Sequence, residues 1–160
     1  MKASGVALVA VLAAVVGVFA DAANGTATYK GKKGAVTVTF KHAYLMKGPE
    51  MGGGAVIRRL VLSASDVSDA LKSCQTMMCS DGGIGEGMTV DFDAGPRLNY
   101  WFVANDQLVQ YSGTAAPTAA KLTTDSPTRL AGMLSIDAVG AGGPKVQVDF
   151  DASLVKELKN

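Results

Sequence analysis

The residues best suited to chemistry are few: two cysteines, one histidine and several paired carboxylates. Cys74 and Cys79 are the only cysteines. An even count in an exported chain reads as a disulfide, and closing so short a loop contributes roughly 2 kcal/mol. Metal ligation is the alternative. Two thiolates leave a tetrahedral zinc site incomplete, and His42, the sole imidazole, lies far off in sequence. Met77 and Met78 between the cysteines, with Met46, Met51, Met88 and His42, would offer soft ligands to Cu(I). The disulfide is the expectation, and no metal or cofactor is assigned.

Two carboxylate pairs, Asp91 with Asp93 and Asp149 with Asp151, are spaced to share one face of a strand. Such pairs could hydrolyse a glycan or hold calcium, but the solvent face of an antiparallel sheet has the same composition. His42 follows Lys41 in a strand pattern, where a half-buried ring bonded to a carbonyl is the plainer reading than a general base. There is no Gly-x-Ser-x-Gly. Gly83-x-Gly85 opens like a dinucleotide fingerprint but lies between a cysteine loop and a strand, without the strand–loop–helix setting that chemistry requires. Asp81 and Glu86 do not complete a calcium loop. No catalytic residue is assigned.

The elements that must position these groups show mostly period two. Val36, Val38 and Phe40 alternate with Thr37, Thr39 and Lys41, and the alternation loses its regularity beyond Lys41. Further runs cover Ala55 to Ser63 (interrupted by Arg58 and Arg59), Met88 to Phe92 and Leu98 to Val103. Asn105-Asp106, tolerant of positive φ, predicts a hairpin into Leu108 to Tyr111. A second hairpin joins Arg129 to Ala138 with Lys145 to Leu154 through Gly140, Gly142, Gly143 and Pro144. Ser65 to Lys72 carries cap residues and helical spacing at Val67, Ala70 and Leu71. Residues 73–87 read as loop. The expected fold is all-β: an antiparallel β-sandwich or barrel of about 7–8 strands with one short helix. The patterns over Tyr29–Tyr44 and Arg129–Leu154 resemble small secreted bacterial β-sandwich proteins, a likeness that implies fold and no site residue.

Ala3 to Ala20 carries no charge and ends in small residues at peptidase spacing, as Val18-Phe19-Ala20 or Ala20-Asp21-Ala22. Residues 1–22 are therefore read as a signal peptide and 23–160 as a single β domain, periplasmic or secreted, with no stable membrane anchor after cleavage. The whole chain has 160 residues, 15 Lys+Arg against 14 Asp+Glu, and a formal charge of +1. That balance argues against nucleic acid as a partner, which requires a surplus of cations. The Lys30, Lys32, Lys33 cluster reads as a solvated hairpin tip.

With no catalytic constellation, the expected function is a non-catalytic module that binds a protein partner in the cell envelope. Periplasmic copper binding and glycan hydrolysis are the alternatives. Recognition is expected from the disulfide-tethered loop, with Met77, Met78 and Ile84 as its apolar contacts.

Overall fold

The computed structural model describes residues 21–32, 34–50 and 54–159. The apolar segment ending at Ala20, together with Lys33, Met51, Gly52 and Gly53, lies outside them. The fold is all-β, as expected. The described residues form nine strands: β1 (Ala22–Gly31), β2 (Gly34–Pro49), β3 (Val56–Ser63), β4 (Gly87–Phe92), β5 (Leu98–Ala104), β6 (Val109–Ala115), β7 (Ala120–Ser126), β8 (Arg129–Asp137) and β9 (Lys145–Glu157). Two short helices, α1 (Ser68–Ser73) and α2 (Cys79–Gly83), join β3 to β4. The expectation of 7–8 strands and one helix falls short by β1, β7 and α2. Small residues and glycine fill β1, and Lys121, Thr123 and Asp125 alternate in β7 with only Leu122 as a large apolar residue, so neither carries a strong hydrophobic signature.

One curled sheet contains all nine strands in the order β6-β5-β4-β3-β2-β1-β9-β8-β7. Its neighbours are antiparallel, apart from one parallel contact between β2 and β9. The edges, β6 and β7, are consecutive in the chain and are joined only by residues 116–119, which include a 3-10 turn. A flat sheet of this width would hold its edges about 38 Å apart. The link reaches at most about 18 Å even when extended. The sheet must therefore roll up, and one face becomes an interior.

That interior gathers Phe40, Leu45, Leu60, Leu62, Met88, Phe102, Leu130 and Leu134, all fully buried, with contributions from the other strands. β2 is the long strand shared by the two halves of the roll. Its first part pairs with β1, and from His42 onward it pairs with β3. Inward residues are Val38 and Phe40, then Ala43 and Leu45, a step of three where two is regular. The β1–β2 register shifts here, with Ala23 and Asn24 of β1 opposite the single residue Lys41, and the strands turn at the changeover, as at a bulge. The loss of alternation beyond Lys41 is the sequence trace of that turn.

β1 lies between β2 and β9, with Gly25 opposite both Phe40 and Val148. A Cβ on Gly25 would collide with the Gln147 carbonyl oxygen and the Val148 Cα, both backbone atoms that cannot swing aside. Gly25→Ala is expected to lower stability by about 1–3 kcal/mol, as urea unfolding would measure; an unchanged midpoint would show that β9 yields at this point.

Candidate functional site

Period two sorts β3 into two faces. Leu60 and Leu62 enter the roll, while Ile57, Val61 and the Arg59 between them face outward. The outer face carries a second apolar cluster made of Tyr44, Met46, Ile57, Val61 and Val103 from the sheet and Val67, Leu71, Cys74, Met77 and Ile84 from the α1–α2 segment. Trp101 packs against it, while its neighbours Tyr100 and Phe102 enter the roll, so both sides of β5 are packed.

Arg59 fixes the segment to the sheet. Its Nε and Nη2 donate to the two carboxylate oxygens of Asp91 at 2.6 and 2.8 Å. Its Nη1 donates to the Met77 carbonyl at 2.7 Å and to Ser80 Oγ and Asp81 Oδ1, each at 3.0 Å. Burial works against the guanidinium charge, but Asp91 and Asp81 more than offset it and hold its pKa above the ordinary arginine value. Burial raises the Asp81 pKa, opposed by the charge of Arg59. Breaking a buried pair of this kind by removing one member costs about 3–5 kcal/mol.

The expected disulfide is present, with Cα atoms 5.5 Å apart. The segment after it is not a free loop. α2 forms from a glycine-containing sequence with little helical propensity because tertiary contacts hold it. Ser80 Oγ donates to the Met77 carbonyl, and Asp81 N–H donates to the Met78 carbonyl. The far end of α2 is closed by Gln107, whose amide contacts the carbonyls of Asp81, Gly82 and Ile84 at 3.1–3.3 Å. Gln107 belongs to the predicted β5–β6 hairpin turn, where Asn105, Asp106 and Gln107 all have positive φ. Glu86 accepts the Asn105 N–H in the same place.

These contacts correct the expected recognition tip. Met77 (4% exposed) and Ile84 (0%) are buried beneath the segment, because the chain needs them to cover the outer face of β2, β3 and β5. Met78 is 51% exposed and still faces solvent. Sequence reading missed Leu108, the most exposed large apolar side chain among the described residues at 87%. Its signal was present, a leucine directly after a tight polar turn, but it read as the first residue of a strand. Leu108 also borders a cleft of about 610 Å³ between the β1–β2 hairpin and the β5–β6 turn, lined by Tyr29, Lys32, Val36, Asn105 and Val109.

Three of the four candidate carboxylates are held by arginines, and Asp149 stands exposed without one. Asp91 and Asp93 do not act as a pair: β4 ends at Phe92, Asp93 adopts φ +70°, and it binds Arg58 while Asp91 binds Arg59. Arg58 also pairs with Asp125 across the roll. Asp151 forms a two-pronged pair with Arg129. The soft ligands are dispersed: Met88 lies in the inner cluster, Met46 and Met77 in the outer. Among the described residues no group of three or more His, Cys, Asp or Glu gathers as a metal-binding set.

His42 stacks on Tyr44, and the Tyr44 phenol donates to Asp66 Oδ1 at 2.6 Å. Burial and this carboxylate push the phenol pKa above its ordinary value, so Tyr44 stays protonated. The Tyr44 hydroxyl and the Ser68 N–H lower the Asp66 carboxyl to about 2. A depressed carboxylate gives stability that is fully present above its unfolded value and lost as the pH falls through its folded value. The stability advantage of wild type over Asp66→Asn should therefore be constant above pH 4 and shrink toward pH 2, as thermal midpoints across that range would show. A constant difference down to pH 2 would contradict the assignment.

The chain matches no family model, and no curated protein or solved structure is significantly similar to it.

Proposed function

We propose that the protein is an exported, non-catalytic binding module that recognises a protein partner in the cell envelope. One observation carries this reading: Met78 and Leu108 are exposed apolar side chains on a rigid base. Met78 precedes α2, Gln107 closes its other end, and the helix between them is about 7.5 Å long. Arg59 and the disulfide hold one end of this platform, and the three left-handed turn residues hold the other. A pre-ordered surface loses little conformational entropy on binding, and exposed apolar anchors on rigid elements are the usual energetic centre of an interface.

The cleft beside Leu108 would receive an apolar side chain of the partner, with Lys32 in its lining free of ion pairs among the described residues. Export is supported by the uncharged segment before Asp21 and by the disulfide, which persists in an oxidising compartment. Among the described residues, no helix is long and apolar enough to cross a membrane. The glycan and copper readings are weakened by the arginine-paired carboxylates and the dispersed methionines.

Because both side chains are exposed, Met78→Asp with Leu108→Asp should leave the melting temperature nearly unchanged. In quantitative cross-linking on intact cells, the double variant should recover partners captured by the wild type at least tenfold less well. Equal recovery would contradict this recognition face.

A further inference from the structure

The two small-residue sites in the N-terminal segment differ by only two residues. Cleavage after Ala20 leaves Asp21 at the start of the chain, whereas cleavage after Ala22 removes Asp21 and Ala22. Both removed residues are built into the sheet. Ala22 is the first residue of β1 and pairs with His42 of β2 and Asp151 of β9. Past the level of Ala22, β2 and β9 pair directly from Tyr44 and Ser153 onward.

Asp21 sits at the fork where those two strands separate and bonds to both. Its carbonyl accepts the Ala43 N–H of β2 at 3.3 Å, and its Oδ1 accepts the Ser153 N–H of β9 at 2.9 Å. Without Asp21, two backbone donors at the fork lose these acceptors, a loss that buried or half-buried amides do not tolerate freely. Asp21 also adopts φ +66°, a conformation that side-chain-bearing residues rarely take.

We propose that Asp21 is the mature N-terminus and that processing occurs at the Ala20–Asp21 bond; this rests on the export reading above. A signal-peptidase-type protease would hydrolyse that amide. The C–N bond breaks and water supplies the hydroxyl that completes the Ala20 carboxylate. Its hydrogen goes to the new α-amino group of Asp21. Cleavage precedes folding, so the structure bears on it through what the finished sheet requires.

Intact mass of the full chain after export tests this. The expected species is Asp21–Asn160 with the disulfide formed, and Ala23–Asn160 would overturn the assignment. A chain recovered outside the cytoplasm and still bearing its first 20 residues would overturn processing itself, and a chain found only in the cytoplasm would overturn the export reading. As an independent measure, purified Asp21–Asn160 and Ala23–Asn160 should differ in melting temperature, the shorter chain being lower by about 2–4 °C. Equal midpoints would show that the fork does not need Asp21.

Discussion

Four residues set the shape of the molecule. β6 and β7 lie at opposite edges of a nine-stranded sheet, yet residues 116–119 are all that joins them. Such a short connection is incompatible with an open, flat sheet, so the strands must curl until their edges approach. Curling creates an enclosed apolar interior in which Phe40, Phe102, Leu130 and Leu134 are fully buried. It also makes the strands at the seam dependent on close approach. Gly25 is needed between Phe40 and Val148, and the β1–β2 register shifts where β2 passes from one half of the roll to the other.

A rolled sheet has an outside as well, and here part of that outside is apolar. Tyr44, Met46, Ile57, Val61 and Val103 would face water if nothing covered them. The chain between β3 and β4 covers them, and its two helices are too short to be stable alone. The covering therefore depends on specific ties: the disulfide, the Arg59 fork and the Gln107 amide. A segment tied at both ends becomes a firm base, and Met78 on its outer side and Leu108 beside the adjoining β5–β6 turn are left facing solvent.

Much of the fold was legible in the sequence, and the unread parts share a physical cause. The strands with strong alternation and both glycine- or Asn-Asp-containing hairpins follow from local pattern and turn chemistry. β1 and β7 carry mostly small or polar residues, so their place in the sheet is decided by partners far along the chain. α2 is likewise invisible locally, since Cys-Ser-Asp-Gly-Gly becomes helical only against Arg59 and Gln107. The same cause buries two of the residues expected at the loop tip, Met77 and Ile84. A methionine in a glycine-rich loop reads as exposed, and only the uncovered apolar face of β2 and β3 explains why Met77 and Ile84 turn inward. Arg58 and Arg59 look like interruptions of a hydrophobic run, yet each neutralises acids that would otherwise resemble a catalytic pair.

Arg59 makes the disulfide segment a fixed part of the sheet. Lysine keeps the charge but not the planar fork that reaches Asp91, Ser80 and Met77 together. Amide hydrogen exchange of Arg59→Lys against wild type tests this directly, read at Cys79 and Asp81 with Phe102 and Val148 as internal references. The expected result is exchange at least tenfold faster at Cys79 and Asp81, with the references unchanged. Unchanged protection at Cys79 and Asp81 would mean that the segment holds its place without Arg59 and would contradict the claim.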